Sequence, residues 1–163
     1  MEVVVGAMAS LLGLDTSRNL SYFAVPAAWV LAHGCHLFAI LSSPKSFDNT
    51  NPRTFKDNIA KAPGLSEERK LFISRIKSAA DNGYETLGLF AAAVAAGNQA
   101  GLTSRTLNLC SAGYLATRLI FNYIYIYLGG SAKIAPLRSL VWAANLFFSL
   151  GLFVASGLKL KNA

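Results

Sequence analysis

Four apolar stretches divide the chain, and the breaks between them are unequal. A hydrocarbon core of about 30 Å takes roughly 20 helical residues to cross. Segments 22–41, 67–96, 107–128 and 139–158 each reach that length. The first, YFAVPAAWVLAHGCHLFAIL, carries no charge beyond its two histidines, and the fourth, SLVWAANLFFSLGLFVASGL, carries none. Pro26 falls in the first turns of its segment, where a missing N–H costs least. Residues 42–66 hold three prolines among Asn, Ser and charged residues, the pattern of a true loop. That loop ends in GLSEERK, where Ser66 is placed to cap a helix whose first turn carries Glu67 and Glu68. GNQAGLTS reads as a tight turn. GGSAKIAP reads as a short link, with Pro136 opening the last helix. The chain has no internal repeat and no second domain, so one domain over 1–163 is expected. Short links between neighbouring segments predict an all-α, antiparallel four-helix bundle.

The polar residues inside these segments are not scattered. At about 100° per residue, Arg75, Ser78, Asp81, Asn82 and Glu85 fall within roughly 120° of the second helix. Ser111, Tyr114, Arg118, Asn122 and Tyr125 fall within about 80° of the third. Arg138, Trp142, Asn145 and Ser149 fall within about 60° of the fourth, with Ser139 one step aside. A charge at the centre of a bilayer costs about 2.5–3.5 kcal/mol on the insertion scale. Arg118 and Glu85 are therefore expected to face protein or a wet cavity, paired with each other or with a ligand. Two readings fit: a structural ion pair between helices, or a partly cationic pocket whose guanidiniums hold carboxylates.

Composition sharpens the membrane reading. The chain is 53% hydrophobic and only 14% charged, with a mean hydropathy of +0.41, whereas a soluble domain carries about 25% charged residues. The net charge is +7, but the basic residues collect between apolar segments and form no stripe, so nucleic acid is not the expected partner. Lys45, Arg53, Lys56, Lys61, Arg69, Lys70 and Lys133 flank the first and third loops. Arg18, Arg105, Lys159 and Lys161 lie on the other side. That asymmetry predicts cytosolic first and third loops. MEVVVGAMASLLGLD lacks a basic n-region and a small-residue cleavage site, and reads as a membrane-proximal segment rather than a signal peptide.

Three pieces of sequence, in order and at helical spacing, resemble the MAPEG family, the membrane-associated proteins of eicosanoid and glutathione metabolism. They are Arg75, Asn82 and Glu85 followed by LGLF; Arg118 to Tyr125 in RLIFNYIY; and APLRSLVW, Ala135 to Trp142. The resemblance covers roughly 20–158, and the chain resembles, as a divergent member, the microsomal glutathione transferases. It implies a homotrimer in an internal membrane such as the endoplasmic reticulum, with glutathione as co-substrate bound between subunits near the cytosolic face. It further implies that Asn82 and Glu85 hold the glutathione backbone and amino end, beside Arg75. Arg118 and Tyr125 would line the cavity, Arg138 would stabilise the thiolate with Ser139 beside it, and Trp142 would flank the site. The implied function is transferase or peroxidase action on a lipophilic electrophile delivered from the bilayer. Asp81 departs from the pattern: many members carry a base there that holds a glutathione carboxylate. A glutathione-independent isomerase or cyclase, and a non-catalytic lipid-binding or scaffold protein, therefore remain open alternatives.

The other candidates carry less. His33 and His36 have a spacing that can hold a metal, but no third ligand stands out, so no metal is expected and helix packing accounts for them. Cys35 and Cys110 sit inside apolar segments and read as small buried residues. Tyr127 fits an interfacial aromatic belt.

Overall fold

The computed structural model of the chain describes residues 17–162, so the membrane-proximal segment expected at 1–16 lies outside the described residues. No strand occurs among them. Five helices do: α1 (Ser21–Ser42), α2 (Phe55–Lys61), α3 (Glu67–Gln99), α4 (Ser104–Tyr123) and α5 (Ala135–Lys161). The four long helices pack side by side. α1 lies against α3 and α4, and α5 lies against α4 and α3.

Caps and end residues fix where the long helices begin and end. α3 is capped as expected, the Ser66 hydroxyl accepting from the Arg69 N–H at 3.3 Å. α4 starts earlier than expected because Thr103 caps it, its hydroxyl accepting from the Thr106 N–H at 3.2 Å. Its last turn is a π segment, Ile124–Leu128. α5 opens with Pro136 in its first turn and closes on Lys159 and Lys161, which complement the carbonyl end of the helix.

The segment expected to be plain loop contains α2. Phe55 and Ile59, four residues apart, are fully buried. They join Ala39, Ile73, Ile76, Ala79 and Ile126 in a closed apolar cluster at one end of the molecule. Two apolar residues in a polar stretch are too short a pattern to announce a helix, yet here they fasten the loop to α3. Further back, Asp48 accepts from the Thr50 hydroxyl at 2.6 Å and its N–H at 2.8 Å. These hydrogen bonds, the hydroxyl's first, hold that carboxyl below the usual carboxylate range.

A second apolar cluster, Ala24, Ala28, Phe90, Ala93, Val94, Leu107, Tyr114 and Leu152, fills the other half. Along α3 and α4 the two clusters are separated by a polar layer at Asn82, Thr86 and Arg118, to which α5 adds Asn145. α1 crosses this level on alanine: a Cβ placed on Gly83 would come 2.7 Å from the Ala32 Cβ. Such proximity needs glycine on one side.

Polarity is inverted relative to a soluble protein. Arg118, Asn122, Asn145, Ser111, Ser149 and Ser156 are buried, while Phe23, Leu41 and Phe147 are each more than 70% exposed. Large apolar side chains on the outside ask for a non-aqueous surrounding or a partner. By length and composition, two helical stretches, Ser21–Ser42 and Ala132–Lys161, are long and apolar enough to cross a membrane. The other two expected spans fall on α3 and α4, where the polar stripes dilute the hydropathy.

Candidate functional site

Arg118 is at the centre of the polar layer and is 1% exposed. Its Nη1 donates to Asn82 Oδ1 at 2.8 Å. Its Nη2 donates to Thr86 Oγ1 and to Asn145 Oδ1, both at 2.6 Å. The guanidinium also lies over the rings of Phe121, at 5.1 Å, and Tyr114, at 5.8 Å. Its Nε has no hydrogen-bond partner among the described residues. Two helices, α3 and α5, thus converge through uncharged oxygens on one cation carried by α4. The Tyr114 ring is stacked flat on Phe90 at 3.7 Å, and its hydroxyl is 2.9 Å from Thr86 Oγ1. Asn145 is fixed at its other end, where Nδ2 donates to the Tyr114 carbonyl at 3.0 Å and Thr117 Oγ1 at 3.1 Å.

Glu85 does not touch this guanidinium. Asn82 stands between them, its Nδ2 donating to Glu85 Oε2 at 3.3 Å. Asn82 is half-buried and Glu85 exposed, so the layer opens to the outside along α3 at this corner.

A second group of residues gathers at the loop end. Arg138, half-buried at the start of α5, lays its guanidinium over the Tyr125 ring at 4.8 Å. Tyr125 packs on Phe121 at 5.4 Å, and Phe121 in turn lies under Arg118. A ladder of cation, ring, ring, cation therefore joins the two groups. Arg75 reaches the same turn from α3, its Nε donating to the Ile126 carbonyl at 3.1 Å. It shares the Phe72 ring with Arg69, and a shallow cleft lined by Glu68, Arg69, Phe72 and Arg75 opens beside it. No carboxylate pairs with Arg75 or Arg138 among the described residues. Ser139 is exposed, its hydroxyl turned back to the Ala135 carbonyl at 3.2 Å, and Trp142 lies 39% exposed one turn on.

Asp81, the residue that departs from the family pattern, is neutralised within the chain. Lys56 of α2 reaches it at 2.9 Å and Lys77 pairs with it from one turn earlier. Its charge is spent on clasping α2 to α3.

The structure thus brings Asn82, Glu85 and Arg118 into one layer and Arg75, Tyr125 and Arg138 to one turn, with Ser139 and Trp142 following on α5. Two contributors were not among the candidate residues. Asn145 was visible in the polar stripe of the last helix, but nothing marked it as a ligand of Arg118. Thr86 gave no signal beyond following Glu85. On the α1–α3 seam, His33 Nδ1 lies 2.9 Å from the Tyr84 hydroxyl, and its ring stacks on Trp29 at 4.5 Å. No group of three or more His, Cys, Asp or Glu side chains comes together among the described residues.

This succession of cationic and amide side chains on three helices can be set against known families. The model of the MAPEG family matches residues 19–158. The chain belongs to the MAPEG family. The match takes in the first three long helices, α5 as far as Leu158, and every candidate residue above. No curated protein and no solved structure matches this MAPEG chain. The family is membrane-associated and includes transferases and isomerases, in keeping with the inverted polarity of the helices.

Proposed function

We propose that this MAPEG protein is a multi-pass membrane enzyme, a homotrimer of four-helix subunits in an internal membrane such as the endoplasmic reticulum. Its reaction is glutathione transfer to lipophilic electrophiles that enter from the bilayer, or reduction of lipophilic hydroperoxides to alcohol and water with two glutathiones oxidised to their disulfide. The observation that carries this reading is Arg138: a half-buried guanidinium held on the Tyr125 ring, with no carboxylate of the described residues to neutralise it. Such a cation is ready for an incoming anion, and a guanidinium beside a thiol favours the thiolate.

The residues present fit glutathione as co-substrate. Asp81 was the obstacle, and two lysines already compensate it, so it need not repel the ligand's carboxylates. Glu85 offers an exposed carboxylate for an ammonium, Asn82 an adjacent N–H, and Arg75 a guanidinium whose Nη groups donate to no carboxylate among the described residues. Glutathione would supply the nucleophilic thiol. The chain's part is to orient it through Asn82, Glu85 and Arg75, and to hold negative charge on sulfur at Arg138, with Ser139 and Trp142 at the edge. α3 also suits a membrane site. Its 33 residues span about 50 Å, more than the ~30 Å hydrocarbon core, so its polar first turns can stand at the cytosolic surface.

The test is a titration of glutathione into detergent-purified protein, following thiolate absorbance in wild type and Arg138→Ala. The expected result is a thiolate signal in wild type that the substitution abolishes. No binding at millimolar glutathione would overturn the reading. One observation favours the glutathione-independent isomerase instead: the His33–Tyr84 hydrogen bond beside the exposed Trp29 is an acid–base pair on an outward face. Activity surviving Arg138→Ala but lost in His33→Ala would select it.

A further inference from the structure

We infer that Asn145 is a positioning residue: it holds Arg118 away from Glu85 and thereby keeps the Asn82–Glu85 corner in its binding form. The inference rests on the proposal that this corner receives the ligand.

The hydrogen-bond chemistry admits one arrangement. A guanidinium has only donors, so both Asn82 and Asn145 must turn their Oδ1 atoms to Arg118. Each amide's Nδ2 then points the other way. For Asn82 that direction is Glu85. For Asn145 it is the Tyr114 carbonyl and Thr117 Oγ1. Asn145 is thus tied by two bonds to α4, and its oxygen is fixed at 2.6 Å from Arg118 Nη2.

Arg118 is a buried cation whose hydrogen-bond partners are all neutral. Beyond Asn82 lies Glu85, a carboxylate, and a buried cation gains most from a charged acceptor. Without Asn145, Nη2 keeps only Thr86, and the guanidinium is free to move to Glu85. That pairing would neutralise the carboxylate that a ligand's ammonium needs. It would also release Asn82 from the orientation that points its N–H outward. The latch on α5 thus governs the binding groups on α3 through a residue of α4.

Three variants test this: Asn145→Leu, Asn145→Asp and Asn82→Ala. Leucine removes the acceptor. Aspartate keeps an acceptor at the same place for Arg118 but gives up both donor bonds. The readouts are glutathione affinity in detergent and the side-chain amide resonance of Asn82 in asparagine-labelled protein, assigned by its loss in Asn82→Ala. In Asn145→Leu, the affinity falls roughly tenfold, the effect of one lost orienting hydrogen bond, and the Asn82 resonance moves. In Asn145→Asp both stay near wild type. Placing Asn145→Leu in the Asn82→Ala background adds less than it does alone.

A merely structural Asn145 behaves otherwise, because aspartate then harms as much as leucine through the lost bonds to Tyr114 and Thr117. Equal damage from both, or an unmoved Asn82 resonance in Asn145→Leu, overturns the inference. If Asn145→Leu does not fold, Asn145→Asp decides alone: retained affinity and resonance support the latch, and their loss refutes it. Should wild type bind no glutathione, the functional proposal falls, and the Asn82 resonance still reads the latch.

Discussion

Replacing Arg118 by methionine separates the two things this residue does. Methionine keeps much of the volume and removes the charge, the donors and the unpartnered Nε. Three acceptors lose their partner, but unequally. Thr86 keeps the Tyr114 hydroxyl at 2.9 Å. Asn82 is half-buried and next to exposed Glu85, so water can reach it. Only Asn145 Oδ1, fully buried, is stranded. One stranded buried acceptor costs about 1–3 kcal/mol. Against it stands the relief of a buried cation with no bonded carboxylate, a desolvation penalty of several kcal/mol. The expected net change in stability is therefore small, within about 2 kcal/mol of zero, or roughly 4–8 °C in midpoint for a domain of this size. Thermal unfolding in detergent, followed by near-ultraviolet circular dichroism, measures it. Adding Asn145→Leu removes the stranded oxygen, and the double variant is expected to be more stable than Arg118→Met alone. Ligand affinity should nonetheless fall in Arg118→Met, because Asn82 is no longer oriented. A loss above about 4 kcal/mol, the usual cost of breaking a buried pair, would refute the claim that neutral oxygens leave this charge under-compensated.

Gly83→Ala should destabilise by about 1–3 kcal/mol, since the new methyl meets Ala32 at 2.7 Å; an unchanged thermal midpoint would show that α1 and α3 can part freely. Phe55→Ala should free α2 and speed tryptic cleavage at Lys56 and Lys61, with a core-deletion cost of about 3–5 kcal/mol. Asp81→Asn, by contrast, removes ion pairs in which Asp81 is 36% exposed, Lys56 43% and Lys77 16%, and should change stability by less than about 1 kcal/mol. Tyr125→Phe keeps the ring beneath Arg138 and should preserve glutathione thiolate formation, whereas Tyr125→Leu loses a contact of about 0.5–2 kcal/mol and should weaken it in the same absorbance titration.

The helices and their inward polar faces were legible because burial of Arg118, Asn145 and Ser149 in an apolar chain is costly enough to force a shared face. Caps at Ser66 and the proline opening the last helix were legible for local reasons. Partner choice was not. Arg118 and Glu85 looked like a pair in projection, and an amide separates them, because which oxygen a guanidinium meets depends on helix offset rather than on angular position. α2 was hidden because its stability comes from Phe55 and Ile59 entering a cluster built by distant residues, not from its own periodicity. Asp81 read as an anomaly in the site, since Lys56 reaches it from a segment that looked unstructured.

The π segment that ends α4 has an effect on how this protein can vary. Its wide turn accommodates one more residue than an α-turn would, and Arg75 ties down the Ile126 carbonyl there. Removing Ile124 would let the coil tighten and swing Tyr125 by roughly 100°, out from under Arg138. Deletion of Ile124 should therefore part Tyr125 from Arg138 while leaving the outer, greasy surface of the molecule intact.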